Sequence, residues 1–342
     1  MRIANRKIGK GFTPLIIAEL GINHGGNLDL AKKMVHAAAK TGCEAIKHQT
    51  HFLDDEMTED AKKIVPPNAD KSIWEIMKKC CLTKDQEIKL KEFTENLGMI
   101  YISTPFSRGA ADFLAEIEIP AFKIGSGECD NFLLIEHIAS IGKPVILSTG
   151  MQTSSSIKKP VSILEASNVD YAILECTNIY PCPPDQISLG SITDLYANFP
   201  NAEIGFSDHS IGPEMALASI AMGATIVEKH FTDTKKRKGP DISCSMDPSE
   251  LEYLIKKSKD ISAARDRKKF VAETEKEVYK FARSSIVADI DIPRGTLLTR
   301  ENIWARRPGN GQIPGYEYQK VIGKRARKEI KKNQQIKWTD IQ

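Results

Sequence analysis

Two histidines, each closing an apolar run, have the residue type and placement to do chemistry in this sequence. EIGFSDHS (203–210) contains His209, and TIVEKHFT (225–232) contains His230. Each run has the length and β-branched content of a buried strand, and the helix-capable segment between them makes the two strands parallel neighbours. Both imidazoles then lie at the carboxyl ends of adjacent strands, where they form half of a divalent-metal site. A single histidine at a strand end is more often a hydrogen-bonded loop residue, so the matched pair carries the prediction.

Six further apolar runs, separated by segments that can form helices, precede this pair. Together they make eight βα units, the composition of a closed (β/α)8 barrel. An open doubly wound sheet is the alternative, but it usually carries a G-x-G-x-x-G turn after its first strand, and GINHGGN (21–27) lacks that spacing. We therefore predict an α/β fold with a (β/α)8 TIM barrel over residues 1–265. The six runs are LIIAELG (15–21), EAIKHQT (44–50), MIYISTPF (99–106), AFKIGSGE (121–128), PVILSTG (144–150) and YAILECTN (171–178).

In such a barrel, the side chains that follow the strands meet on one rim, whatever their separation in sequence. Lysine and hydroxyl donors there suit a phosphate or carboxylate group, because they neutralise and orient its oxygens. The histidine pair with a carboxylate suits a divalent metal that polarises a carbonyl group, and Glu19 and Asp241 are candidates for third ligand or for positioning a water. An anion site beside such a metal indicates carbon–carbon bond formation with a phosphorylated small molecule. Taken singly, Ser126 and Ser148 are equally consistent with cap or turn roles. The predicted rim residues include Glu19, Lys47, Gln49, Thr104, Lys123, Ser126, Glu128, Ser148, Asn178, Tyr180, Ser207, His209 and His230.

Composition argues against several other classes of protein. The chain has 342 residues with a formal net charge of +3, so its overall charge gives no reason to expect a nucleic acid or membrane partner. No apolar run approaches the roughly 20 residues of a membrane-spanning helix, and residues 1–14 do not form a secretory signal. Seven cysteines without regular spacing indicate free thiols, and we predict a cytoplasmic location.

The end of the chain has a different character. A charged helical linker is predicted for residues 266–280, followed by a small β-rich domain at 281–342 with short strands and many Gly and Pro residues. This domain has 13 Lys and Arg against 6 Asp and Glu, a balance of +7, whereas the rest of the chain has −4. The basic run RARKEIKK (325–332) has no interleaved aromatic residues for base stacking, so we interpret it as a solvated surface.

At this level of detail the chain resembles the sialic acid synthases, which make N-acetylneuraminate from N-acetylmannosamine and phosphoenolpyruvate. The resemblance covers nearly the whole chain, and the small domain resembles the antifreeze-like (SAF) module of those synthases. It is carried by AELGINHGG (18–26), IKHQTH (46–51), STPFSR (103–108), FKIGSGEC (122–129), LSTGM (147–151), CTNIYP (176–181), GFSDHS (205–210), EKHFT (228–232), GPDISCSMD (239–247) and RRPGNG (306–311).

The resemblance implies a role for each site residue. His209 and His230 bind a divalent metal, most readily Mn²⁺, with Mg²⁺ or Co²⁺ as alternatives. Glu19, Glu128, Asp241 and Lys47 are the implied catalytic residues, with Glu19 and Asp241 handling the water and the sugar, and Glu128 and Gln49 facing the reacting groups. Arg307 reaches the sugar's N-acetyl group from the partner subunit of a domain-swapped homodimer, and Tyr180 and Phe281 lie on the substrate side. The phosphoenolpyruvate pocket is lined by Lys47, Thr104, Lys123, Ser126, Ser148, Asn178 and Ser207.

Several alternatives stay open at this point. Relatives on the same scaffold make legionaminic or pseudaminic acid from diacetamido-trideoxy sugars or accept a 6-phosphate sugar, and Arg283 stands where a second aromatic residue is expected, which bears on the choice of sugar. A Schiff-base aldolase with Lys47 or Lys123 as nucleophile is a different class of enzyme. A carbohydrate-binding scaffold without catalysis is a third reading, disfavoured by the many ionisable residues on the rim.

Overall fold

Eight parallel strands close into a barrel in the computed structural model, which describes residues 1–65, 70–239 and 241–342. Two short strands, β1 (Arg2–Ile3) and β2 (Arg6–Lys7), form an antiparallel hairpin ahead of it. The strands follow each other around the barrel in chain order, and the last pairs with the first. The barrel strands are β3 (Leu15–Glu19), β4 (Ala45–Thr50), β5 (Ile100–Pro105), β6 (Phe122–Ile124), β7 (Val145–Ser148), β8 (Tyr171–Cys176), β9 (Glu203–Asp208) and β10 (Ile226–His230).

Helices connect the strands, and side chains cap several of their first turns. Asp247 caps the helix that follows the barrel, and Glu250 returns a hydrogen bond to its backbone; Thr83 and Gln86 form the same capping box. No helix in the described ranges has the length and apolar content needed to cross a membrane. The helices are α1 (Leu28–Lys40), α2 (Leu53–Glu56), α3 (Ile73–Cys80), α4 (Lys84–Asn96), α5 (Arg108–Glu116), α6 (Phe132–Ser140), α7 (Lys158–Ala166), α8 (Ser191–Asn198), α9 (Glu214–Ala221), α10 (Pro248–Arg265) and α11 (Glu275–Ala282).

The interior of the barrel changes from apolar to polar along most of its strands. Because side chains alternate between the two faces of a strand, residues two apart point the same way. Ile17 of β3 and Ile226 of β10 belong to the inner apolar layer, which Ile3 of the hairpin also joins. Glu19 follows Ile17 by two residues and Glu228 follows Ile226 by two, so both glutamates point into the same interior and begin its polar layer. The alternation of side chains along each strand thus places polar residues inside the barrel at the carboxyl ends of the strands.

The chain divides into two compact units, Met1–Asp266 and Arg267–Gln342. The second unit contains α11 and an antiparallel pair, β11 (Ser285–Ala288) and β12 (Ile303–Arg306). Its own apolar core includes Ile286, Leu298 and Ile330, all with 0–1% exposure. The predicted fold class, a closed (β/α)8 barrel with a small β-rich C-terminal domain, is therefore confirmed.

Candidate active site

A cavity of about 170 Å³ opens at the carboxyl ends of the barrel strands, and twelve of the predicted site residues line it. Every barrel strand, or the loop directly after it, contributes at least one of them. The cavity is shaped by side chains from positions that are far apart in sequence, as the barrel prediction requires. The twelve residues are Glu19, Lys47, Gln49, Thr104, Lys123, Ser126, Ser148, Asn178, Tyr180, Ser207, His209 and His230.

Two buried lysines give the floor of the cavity its cationic character. Lys47 Nζ lies 2.7 Å from Glu19 Oε2 and donates to Thr104 Oγ1 at 3.2 Å. Burial alone would lower the pKa of Lys47, but the charges of Glu19 and Glu228 outweigh it and raise that pKa. The Lys47 ammonium is therefore held in its charged form, as an anion-binding group requires.

For Lys123, the effects of burial and of neighbouring charges on the pKa balance differently. Its Nζ donates to Ser148 Oγ at 2.7 Å and lies 3.6 Å from Glu228 Oε1. Burial lowers the pKa of Lys123, the attraction of Glu228 opposes this, and the neighbouring charge of Lys47 lowers it further. Of the two lysines, Lys123 is thus the one that loses its proton more readily.

Glu228 is a central residue that the sequence prediction missed. Its Oε1 lies 3.8 Å from Lys47 Nζ and 3.6 Å from Lys123 Nζ, and it accepts a hydrogen bond from Ser207 Oγ at 3.2 Å. Burial opposes its ionisation, yet the two lysines outweigh burial and lower its pKa. The signal was present in the sequence, because Glu228 precedes His230 by two residues and so shares its face of the strand.

The predicted histidine pair is assembled. The ring centroids of His209 and His230 are 5.5 Å apart, and Tyr180 packs over His209 with a centroid distance of 4.1 Å. His209 Nδ1 lies 2.8 Å from the carbonyl oxygen of Thr177, so Nδ1 carries the hydrogen and Nε2 keeps its lone pair. This is the arrangement by which a backbone carbonyl fixes a metal-binding tautomer.

Burial keeps both rings neutral at ordinary pH. It lowers the pKa of His209 to about 4, with a further lowering from His230, and it lowers the pKa of His230 to about 4 although Glu19 opposes the shift. Neutral imidazole is the form that binds metal ions. The buried Nδ1 of His230 has no hydrogen-bond partner within the described part of the chain, and Asp241 Oδ2 lies 3.6 Å from it.

The side chains around His230 fit a divalent cation as an incomplete ligand set. Across residues 1–65, 70–239 and 241–342, no three His, Cys, Asp or Glu side chains gather closely enough to hold a metal unaided. Two imidazoles with one nearby carboxylate leave positions for water or substrate, as in catalytic metal sites. Gly21 keeps this space open: its φ is +51°, and a Cβ there would lie 3.0 Å from both His230 and Asp241.

Glu128 and Asp241 do not line the central cavity. Glu128 accepts a hydrogen bond from Asn131 at 2.6 Å and faces a neighbouring cavity of about 350 Å³, and burial raises its pKa. Phe106 forms a wall of both cavities. Burial also raises the pKa of Asp241, whose carboxylate approaches the central site through His230. Pro240, within the predicted motif 239–247, lies outside the described residues.

The remaining two predicted residues belong to the second unit. Phe281, near the end of α11, is 62% exposed, and Arg307, directly after β12, is also exposed. Phe106 and Cys176, like Glu228, line the central cavity without having been predicted. Cys176 donates from Sγ to Asn178 Oδ1 at 3.1 Å, which orients the amide of that predicted residue.

Comparison with known proteins follows the same division of the chain. The model of the NeuB family matches residues 34–270, and the model of the SAF domain matches residues 283–342. The chain belongs to the NeuB family and carries a C-terminal SAF domain, so the resemblance seen in the sequence is confirmed.

Named relatives cover nearly the full length. The N,N'-diacetyllegionaminic acid synthase of Campylobacter jejuni is 34% identical over 94% of this chain and 98% of its own length. The N-acetylneuraminate-9-phosphate synthase of Homo sapiens is 31% identical over 94% of this chain and 90% of its own. The crystal structure of the N-acetylneuraminic acid synthetase of Leptospira borgpetersenii superposes with a TM-score of 0.74 at 32% identity, covering 81% of this chain and 94% of that one.

Proposed function

We propose that this protein condenses phosphoenolpyruvate with N-acetylmannosamine and water to give N-acetylneuraminate and phosphate. One observation carries the proposal: two buried lysines and a pair of neutral imidazoles line the same cavity. Its relatives, which are named as synthases of N,N'-diacetyllegionaminic acid and of N-acetylneuraminate-9-phosphate, support the same class of reaction.

Phosphoenolpyruvate would occupy the lysine end of this cavity. Lys47 and Lys123 supply the positive charge, and hydroxyl groups such as those of Thr104 and Ser148, which already accept from the lysines, are within reach of the same oxygens. Lys47 is already paired with Glu19 and Lys123 with Glu228, so part of the lysine charge is neutralised before the substrate binds. A further positive charge at the imidazole end would favour binding of so anionic a substrate.

A divalent metal ion bound by His209 and His230, with Asp241 beside them, would supply this charge. Mn²⁺ is the preferred ion, and Mg²⁺ or Co²⁺ are the alternatives. When bound, such a metal supplies Lewis-acid polarisation of the aldehyde oxygen of the open-chain sugar. The remaining work falls to the chain's own residues. Lys47 and Lys123 hold the phosphate and orient the enol carbon towards the aldehyde carbon, and Tyr180 covers the imidazoles.

A carboxylate would hold and deprotonate the water that takes part in the reaction. Both oxygens of Glu19 are engaged, since Oε1 accepts from Gln49 Nε2 at 3.0 Å and Oε2 lies 2.7 Å from Lys47 Nζ. Asp241, whose pKa burial raises, is a stronger base than an exposed aspartate and is the better group to hold and deprotonate the water. The carbon–carbon bond forms from the enol carbon, water adds to the carbon bearing the phosphate ester, and phosphate leaves with cleavage of that C–O bond.

The acceptor sugar is the finer part of the proposal. N-acetylmannosamine stands first, and diacetamido-trideoxy hexoses, which would give legionaminic or pseudaminic acid, are the alternative. The neighbouring cavity lined by Glu128 and Phe106 gives room for the sugar beyond the central cavity.

A panel of sugars assayed for phosphoenolpyruvate-dependent phosphate release tests the proposal. N-acetylmannosamine should give the highest kcat/KM, and no sugar should be needed in phosphorylated form. Phosphoenolpyruvate with ¹⁸O in the bridging position should release phosphate that retains the ¹⁸O. Phosphate without the label would show P–O cleavage and would refute the chemistry proposed.

One observation favours a second candidate, the Schiff-base aldolase. The lowered pKa of Lys123 is what an amine nucleophile needs. Borohydride added with pyruvate and sugar would then trap a covalent adduct on Lys123, and a chelator would leave turnover intact. For the synthase, no adduct forms.

A further inference from the structure

Gln49 is held by a chain of hydrogen bonds that runs from the central cavity to α2. Its Nε2 donates to Glu19 Oε1 at 3.0 Å, and its Oε1 lies 3.2 Å from His51 Nε2. His51 Nδ1 lies in turn 2.8 Å from Glu56 Oε2. The proposed reaction uses Glu19 and Gln49 but gives His51 and Glu56 no part.

The direction of each bond follows from the two carboxylates at the ends. Ionised carboxylates only accept hydrogen bonds. Glu19 therefore requires the nitrogen of the Gln49 amide, which turns the amide oxygen towards His51. That oxygen accepts from His51 Nε2–H, and Glu56 accepts from Nδ1–H. Both nitrogens of the His51 ring thus face acceptors, and the ring donates to each of them.

The ring of His51 has little freedom to move. The side chains of His51 and Glu56 are 5% and 9% exposed, and the ring stacks on Phe106 with a centroid distance of 4.2 Å and an angle of 14°. Bonds at both nitrogens fix its rotation, and the stacked phenyl ring fixes its plane. A group held in this way can impose one orientation on its neighbour.

We propose that His51 is a positioning residue which, anchored by Glu56, locks the Gln49 amide with its nitrogen towards Glu19 and the cavity. The amide nitrogen carries two hydrogens, and Glu19 takes one. Because Gln49 lines the cavity, the second is presented to an oxygen of the bound acceptor sugar. A flipped amide would place two acceptors against each other at Glu19 and offer the sugar an acceptor instead of a donor. The proposal rests on the function proposed above and assigns the recognition of a sugar oxygen to Gln49 as a donor.

His51→Phe is the main variant, since it keeps an aromatic ring for Phe106 and removes both N–H donors. With N-acetylmannosamine and phosphoenolpyruvate as probes, the KM for the sugar should rise about tenfold, the value of one lost hydrogen bond, while the KM for phosphoenolpyruvate stays unchanged. His51→Gln retains an N–H donor and should recover most of the loss. His36→Phe, on the exposed face of α1, is the matched control and should behave as wild type.

A double-mutant cycle separates positioning from a general structural role. If His51 acts through Gln49, then His51→Phe in a Gln49→Ala background should have no further effect on the KM for the sugar. Effects that multiply, or a His51→Phe enzyme with wild-type constants, would overturn the proposal. Glu56→Gln provides the same test at the other end of the chain of bonds should His51→Phe fail to fold.

A measurement without turnover keeps this proposal apart from the proposed function. In enzyme labelled with ¹⁵N in glutamine side chains, the Gln49 resonance is the one absent from Gln49→Ala. Its two hydrogens should exchange slowly with solvent in wild type and rapidly in His51→Phe, with a change in their chemical shifts. An unchanged resonance refutes the lock even in an active enzyme, whereas absent phosphate release with the expected resonance refutes only the synthase.

Discussion

At the scale of single residues, the protonation of the buried histidines decides what the site can bind. His209 and His230 are each 6% exposed, and burial sets the pKa of both near 4. Neutral rings present lone pairs to a cation, whereas two imidazolium rings 5.5 Å apart would repel both it and each other. Burial keeps these imidazoles neutral and able to bind a metal ion, and it also makes the stability of the fold sensitive to acid.

The sign of this sensitivity is fixed by the two pKa values. A histidine in the unfolded chain titrates at about 6.5, so between that value and 4 the unfolded state binds more protons than the folded state. The free energy of unfolding should therefore fall as the pH is lowered from about 6.5 towards 4, and above 6.5 this contribution is fully present. Urea unfolding at pH 7, 6 and 5, measured without added metal, should show the loss.

Two variants make that prediction specific. Replacing both His209 and His230 by Asn should weaken the dependence between pH 6.5 and 5 without abolishing it. Burial lowers the pKa of His24 to about 3, so His24 keeps contributing in the same direction, and burial raises the pKa of Glu175 to about 7, which acts in the opposite direction. His36→Asn removes an exposed histidine from α1 and should leave the dependence as it is in wild type. A wild-type stability that is constant over this interval would be inconsistent with buried neutral imidazoles.

At the scale of the elements, the strand alternation determines which side chains reach the cavity. Eight apolar runs with polar ends were enough to predict the barrel and most of its rim, because both follow from strand length and the order of the units. Glu228 escapes a prediction made from strand ends, because the glutamate lies inside the strand; only its spacing of two residues from His230 points to it. Nor could such a prediction place Glu128 in a second cavity, because that depends on the turn taken after β6.

Alternation also accounts for a buried ion pair behind the histidines. Asp208 and Lys229 point away from the cavity, and Lys229 Nζ lies 2.9 Å from Asp208 Oδ2, with both side chains 0% exposed. Asp208 Oδ1 accepts from the backbone N–H of Ser210 at 2.8 Å, so the pair also fixes the turn that carries His209.

Breaking this pair on one side should therefore be costly. Lys229→Met leaves the buried Asp208 charge uncompensated and should lower the free energy of unfolding by about 3–5 kcal/mol. The double variant Asp208→Asn, Lys229→Met removes both charges and should recover most of the loss. Denaturant unfolding of the three proteins checks this, and a single variant as stable as wild type would show that the pair is unimportant for the barrel.

At the scale of the whole molecule, we propose that two copies share their active sites as a domain-swapped homodimer. The sequence resemblance assigns Arg307 to the partner's sugar site, and Arg307 is exposed on the second unit. Residues 281–342 of that unit carry +7 against −4 for the rest of the chain, which favours association between copies.

Complementation between two inactive variants tests the shared site. Arg307→Ala and Lys47→Ala should each be nearly inactive, for different reasons. After mixing, unfolding and reassembly, about a quarter of the wild-type activity should return, because half of the dimers are mixed and each has one intact site. Activity that stays at the level of the separate variants would show that each chain completes its own site.

The proposed reaction requires a divalent cation held by His209 and His230 beside the two buried lysines. The most direct measurement is phosphoenolpyruvate-dependent phosphate release by enzyme that has been exhaustively chelated and then titrated with Mn²⁺. We predict no release until Mn²⁺ is added, full recovery on addition, and a loss of at least about a hundredfold in His209→Ala at any Mn²⁺ concentration. Undiminished release from the chelated enzyme, or a His209→Ala variant as active as wild type, would contradict a metal held by the histidine pair.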